Sequence, residues 1–192
     1  MKKILIIYFS KSGAIEKMSE KISRGINSVE NSEAMIRTLP DIKDHDAAAI
    51  ANMNNILYAT NDDLENCDGL ILGSPTYFGN MAAPMKFFLD GTSAEWFNGT
   101  LSGKPAGVFT SSSSMHGGQE TTLITMLIPL LHHGMIISGI PYTEKELHAT
   151  RTGGSPYGPT HFSGNKESGL SDHEIKLCTS FGSRIANLAQ KL

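Results

Sequence analysis

An apolar run, Ile4 to Phe9, stops at Ser10-Lys11-Ser12-Gly13-Ala14-Ile15, and residues with helical periodicity follow. Two hydroxyls, a glycine and a helix N-terminus are the parts of an anion cradle. Free backbone N–H groups and the positive end of the helix dipole converge on one spot. The turn has neither the G-x-G-x-x-G of dinucleotide folds nor the Gly-Lys-Ser/Thr of a P-loop. Hydroxyls and amides with no fixed cation suit a single phosphate monoester. The same hexapeptide also fits an ordinary turn in which Ser12 caps the helix.

Two more loops carry the same mixture of small and polar residues. Gly73-Ser74-Pro75-Thr76-Tyr77-Phe78-Gly79-Asn80-Met81 follows the apolar segment Gly69 to Leu72. Thr110-Ser111-Ser112-Ser113-Ser114-Met115-His116-Gly117-Gly118-Gln119-Glu120 follows Gly107 to Phe109. Small residues let a ligand lie against backbone, and the polar ones donate hydrogen bonds. Three such turns, each after a strand, predict a planar ligand with one phosphate, polar ring edges and an apolar face. Ser111 to Ser114 lack the G-x-S-x-G elbow of a nucleophilic serine. His132 and His133 are adjacent, so on a helix they point to different faces and make a poor metal pair. Glu120 fits either a helix cap or an edge of the ligand.

The elements that must position these loops alternate. Besides Ile4 to Phe9, strands are expected at Ala34–Ile36, Gly69–Leu72, Gly107–Phe109 and Met135–Ile137. Helices are expected at Glu16–Val29, within Asp62–Asn66, at Pro84–Leu89 and at Thr121–His132. Ser171-x-x-Glu174 is a capping box ahead of Ile175, Leu177, Cys178, Phe181, Ile185 and Leu188. Strands alternating with helices predict an α/β fold, with a parallel sheet covered on both faces. Five strands with a phosphate turn after the first fit the flavodoxin-like order 2-1-3-4-5. Pro40 to Asn61 reads as a polar surface loop or a loose helix. Ile140 to Gly169, rich in Gly, Pro, Ser and Thr, reads as a long functional or interface loop.

With 192 residues and 40% hydrophobic content, one domain spanning 1–192 is expected. A net charge of -3 and no basic run argue against nucleic acid. Cys67 and Cys178 are far apart with no C-x-x-C, so no zinc ribbon or iron–sulfur cluster is indicated. No stretch is long enough to span a bilayer. Lys2-Lys3 and its short apolar run lack a cleavage site. A reducing cytoplasmic compartment is the default.

Five motifs together resemble the WrbA family. They are Ser10-Lys11-Ser12-Gly13-Ala14-Ile15, Pro75-Thr76-Tyr77-Phe78-Gly79-Asn80-Met81, His116-Gly117-Gly118-Gln119-Glu120-Thr121-Thr122, His132-His133-Gly134-Met135 and Gly153-Gly154-Ser155-Pro156-Tyr157-Gly158. That family comprises flavodoxin-like, FMN-dependent NAD(P)H:quinone oxidoreductases. The last three motifs separate it from plain flavodoxins.

The resemblance implies that Ser10, Lys11, Ser12, Gly13, Ala14 and Ile15 cradle the FMN phosphate. Thr76, Tyr77, Phe78 and Gly79 then contact the flavin, as do Ser111, Ser112, Ser113, Ser114, Met115, His116 and Gly117. His132 lies beside the ring as the catalytic residue, stabilising charge on the quinone oxygen. Trp96, Phe78 and Tyr77 form the slot for nicotinamide or quinone. By composition alone Trp96 reads as core. NADH or NADPH is the donor, the cycle is ping-pong, and the assembly is a homotetramer that completes each site. No metal, membrane or nucleic-acid partner is implied. The family often has an aromatic residue where this chain has Ser12 and Arg where it has Tyr77, which changes the walls facing the second substrate. A flavodoxin-type electron carrier, a non-catalytic FMN scaffold and a reductase of azo or nitro compounds are the rival readings.

Overall fold

Alternation in the first strand sets the layers. In the computed structural model, which describes residues 1–44, 54–164 and 169–192, β1 spans Lys2–Tyr8. Ile4, Ile6 and Tyr8 face one cluster, while Leu5, Ile7 and Phe9 face another. A strand buried on both sides needs helices on both sides, which is the logic of a parallel sheet. On one face lie α1 (Ala14–Asn27) and α7 (Asp172–Lys191), contributing Ile15, Met18, Ile22, Phe181 and Ile185. On the other lie α3 (Ala83–Asp90) and α5 (Gln119–His132), contributing Met85, Leu89, Leu123, Met126 and Leu130. The α1–α7 contact is close enough to require glycine. A Cβ on Gly25 would stand 1.9 Å from the Thr179 carbonyl oxygen.

The sheet has the expected order. β2 (Ser32–Thr38) and β3 (Gly69–Pro75) flank β1, and β4 (Pro105–Ser112) follows β3, all parallel. The fifth position differs from expectation because two short strands share it. β5 (Ile136–Ile137) pairs with Pro105–Ala106, and β6 (Thr160–Phe162) pairs with Thr110–Ser112. Between them the chain leaves the sheet, forms α6 (Lys145–Ala149), and returns so that the Pro159 carbonyl accepts from Thr110 N–H at 3.1 Å. Ile140 to Gly169 is therefore not one loop: it holds a helix and a sheet strand. Two other short helices, α2 (Asn61–Glu65) and α4 (Ser93–Phe97), complete the described elements with a 3-10 turn at Ile42–Asp44. Residues 45–53 of the Pro40–Asn61 segment lie outside the described residues.

The last helix begins at the expected capping box. Ser171 Oγ accepts from Glu174 N–H at 3.3 Å, and Glu174 Oε2 accepts from Ser171 N–H at 2.7 Å. Glu174 is 1% exposed and does more than cap. Its Oε1 accepts from the N–H groups of Gly153 (2.8 Å) and Phe162 (3.3 Å), and His161 Nδ1 lies 3.1 Å from both oxygens. Burial is the largest single influence on this carboxyl and pushes its pKa up. The His161 hydrogen bond, the Ser171 N–H, the His161 charge and the Phe162 N–H together outweigh it, so the group titrates below the ordinary 4.5. A carboxyl lowered in the folded state adds stability above its unfolded value, and that stability is lost as pH falls through the lowered value. The melting temperature should accordingly fall on acidification below about 4.5, and Glu174→Gln should flatten that fall in a pH series of thermal melts. An unchanged acid limb would sink the assignment.

Candidate functional site

The turn after β1 is built as an open cradle. The helix N-cap is Gly13, at φ 84°, and not Ser12, so the capping alternative for Ser12 is corrected. The glycine takes a left-handed conformation that a branched residue resists. Ser10 Oγ accepts from Glu16 N–H at 3.4 Å. The N–H groups of Ser12, Gly13, Ala14 and Ile15 have no acceptor among the described residues, and a Cβ on Gly13 would meet nothing within 4 Å. Unpaired amides around open space at the N-terminus of a 14-residue helix fit a phosphate. Asn54 Nδ2 donates to Glu16 Oε1 at 2.6 Å, which brings the segment after β2 to the same end.

The other two loops meet each other there. Tyr77 and Asn80 exchange both backbone hydrogen bonds, 2.8 and 3.0 Å, around Phe78 (φ 52°) and Gly79 (φ 76°). This is a two-residue type I′ hairpin with a phenylalanine held in the left-handed region at its tip. Phe78 is fully exposed and Tyr77 is 41% exposed. Gly79 rests on Gly118, where a Cβ would stand 2.9 Å from the Gly79 Cα. Gly118 was not among the expected site residues. It lets the two loops touch.

Within this end, some expected ligand contacts turn out to brace the frame. Thr76 N–H donates to the Ser111 carbonyl at 2.9 Å. Thr110 Oγ1 donates to the Ser74 carbonyl at 2.7 Å, so Thr76 Oγ1, 3.3 Å away, is the donor to Thr110. The Thr76 hydroxyl is thus spent inside the fold. Ser112 Oγ donates to the Ser114 carbonyl and accepts from Gln119 Nε2 at 2.9 Å. The hydroxyls of Ser111, Ser113 and Ser114 have no partner among the described residues, and Ser113, Ser114, Met115 and His116 are exposed.

Trp96 and His132 come together nearer the C-terminal end of α5. Both line a cleft of ≈ 730 Å³ between the α3–α4 side and α5, with Lys86, Asp90, Ile128 and Met81. Trp96 is 51% exposed, so the core reading for it is corrected. Gly134 carbonyl accepts from Gly103 N–H at 2.9 Å, which fixes the end of α5 beside the start of β4. The Ser111–Gly117 loop stands at the other end of α5, whereas Asn80 and Met81, at the end of the second loop, line this cleft. A 14-residue helix is about 20 Å long. Within one chain, then, His132 is separated from the third loop by the length of α5. His133 is buried, with Nε2 3.0 Å from Thr92 Oγ1. Thr92 Oγ1 donates to the Leu89 carbonyl, so Nε2 carries the hydrogen. Burial pushes its pKa down, against the pull of Glu95.

No described helix is long and apolar enough to cross a membrane. Residues 3–144 match the family model described as NADPH-dependent FMN reductase. A protein of Geotalea daltonii named NAD(P)H dehydrogenase (quinone) is 38% identical over 99% of this chain and 98% of its own length. One of Geobacter sulfurreducens with the same name is 40% identical over 98% of each. Among solved structures, a WrbA-like flavodoxin from Agrobacterium tumefaciens superposes with a TM-score of 0.70 at 22% identity, covering 100% of this chain and 99% of that one. An archaeal flavodoxin reaches 0.66 at 20% identity, covering 98% and 99%.

Proposed function

The chain belongs to the NADPH-dependent FMN reductase family, and from that premise we propose that it is an FMN-dependent NAD(P)H:quinone oxidoreductase, one domain over 1–192, assembled as a homotetramer in the cytoplasm. The observation that carries the reading is the open amide cradle at Ser12–Ile15, at the same sheet end as the Gly79–Gly118 loop contact. When bound there, FMN supplies hydride acceptance from NAD(P)H and two-electron delivery to a quinone. Ser10 to Ile15 hold the phosphate. Tyr77 and Phe78 wall the slot, and the loop Ser111 to Gly117 lines the flavin.

Trp96 and His132 enter from a neighbouring copy. Two observations support this. His132 stands about 20 Å along α5 from the Ser111–Gly117 loop of its own chain. The outward face of α5 carries Ile124, Ile128 and Leu131, exposed at 42, 50 and 58%, at helical spacing. An exposed apolar stripe of this kind suits a second subunit. His132 then places a nitrogen near the quinone oxygen of its neighbour's site, where negative charge develops. Free, buried Cys67 and Cys178 suit a reducing compartment.

One slot used in turn by donor and acceptor has a kinetic signature. Initial rates varied over both NADH and benzoquinone should give parallel double-reciprocal lines. Intersecting lines would require both to be bound together and would contradict the shared slot.

A further inference from the structure

His161 is the middle residue of β6, and its side chain is 6% exposed. Nδ1 lies 3.1 Å from both oxygens of Glu174, whose side chain is 1% exposed. An ionised carboxylate only accepts, so Nδ1 carries the hydrogen. Glu174 is itself pinned by the N–H groups of Gly153, Ser171 and Phe162. A fixed carboxylate therefore fixes the tautomer and the direction of the ring, the device used to aim catalytic and metal-binding histidines. The outer nitrogen, Nε2, makes no hydrogen bond among the described residues.

The sheet places this nitrogen at the ligand end. His161 is the register partner of Ser111 in β4, so the two side chains stand side by side on the α1–α7 face. The Ser111 hydroxyl likewise has no partner among the described residues. Just beyond, Ser163 N–H and Oγ both donate to the Ser112 carbonyl, at 2.8 and 3.0 Å. The base of the third ligand loop is thus joined to the strand that carries His161.

We propose that His161 is a binding residue of the flavin site, its Nε2 hydrogen-bonding the part of the nucleotide beyond the phosphate, with Glu174 as its positioning residue. The inference rests on the flavin reading above. β1, which delivers the phosphate turn, and β6 are three strand spacings apart, about 14 Å. The phosphate stays at β1, and the hydroxyl- or carbonyl-bearing remainder crosses β3 and β4 towards β6.

A purely structural pair would only tie β6 to α7. His161→Asn separates the two cases. Its amide nitrogen takes the place of Nδ1 and keeps the bond to Glu174, while nothing replaces Nε2. FMN and riboflavin, each titrated into flavin-free protein and followed by fluorescence quenching, are the probes. His161→Asn should melt like the parent and bind both flavins about tenfold more weakly, by the same factor. Ser10→Ala/Ser12→Ala should weaken FMN alone. Parental affinity of His161→Asn for both, or a loss confined to FMN, would overturn the assignment. If His161→Asn fails to fold, the parent's imidazole 15N signals decide: the Nε2 resonance of His161 should move on adding riboflavin, and an unmoved resonance overturns it. A parent that binds neither flavin removes the flavin reading and this inference with it.

Discussion

The Ile128→Asp/Leu131→Asp double variant is expected to be monomeric and to bind FMN like the parent, while its NAD(P)H:quinone turnover falls more than a hundredfold. Both positions are half-exposed in the single chain, so the folded monomer barely registers the change. Asp in place of Ile or Leu in a helix costs only a few tenths of a kcal/mol each. Within an apolar subunit contact the same carboxylates are unpaired and desolvated, at several kcal/mol apiece. Association is lost, and with it the Trp96 and His132 that a neighbour supplies. The phosphate cradle belongs to the chain's own β1 and α1 and is untouched. Light scattering reads the assembly, and flavin fluorescence reads the binding. A monomeric variant with parental turnover would refute the composite site, as would a parent that is itself a monomer with FMN present.

Ser10→Ala/Ser12→Ala should weaken FMN binding by about 1–3 kcal/mol, roughly fivefold to a hundredfold or more, the range for hydrogen bonds to a charged group. The loss falls on binding more than on folding, because Ser12 does not cap α1 and Ser10 makes only one bond to its first turn. Gly13 holds the cap position, and the Ser10 bond to Glu16 N–H is long at 3.4 Å. The flavin-free variant should therefore melt within about 1 kcal/mol of the parent. Calorimetric titration with FMN checks the first statement and a thermal melt the second. Unchanged affinity would place the phosphate elsewhere.

Much of this fold is legible in local pattern, because its decisive signals are consecutive in the chain. The run Ile4 to Phe9, the Ser10 turn and α1 form one uninterrupted strand–turn–helix statement. The Ser171–Glu174 box announces α7 within four residues. What stays hidden depends on tertiary pairing. Thr160–Phe162 has three residues and no alternation long enough to read, and it is a strand only because Thr110–Ser112 offers an unpaired edge. The five-residue helices α4 and α6 are likewise too short for a periodic signal. His161 and Glu174 are 13 residues apart and meet only once β6 and α7 are in place. Gly118 follows the expected ligand residue Gly117 in the chain, and its contact is visible only when Gly79 is seen against it. For Trp96 and His132, the resemblance implies a part in the chemistry, whereas the length of α5 sets His132 apart from Gly118. That second fact was readable in principle from the 14 residues between Gly118 and His133.

The most direct test of the central claim is an anaerobic stopped-flow measurement on FMN-reconstituted protein, mixed first with NADH or NADPH and then with benzoquinone, following flavin absorbance. Fast bleaching by a nicotinamide and fast recovery on adding quinone is the predicted result, and the faster nicotinamide names the donor. Flavin that stays oxidised with both nicotinamides, or stays bleached in the presence of quinone, would contradict the oxidoreductase.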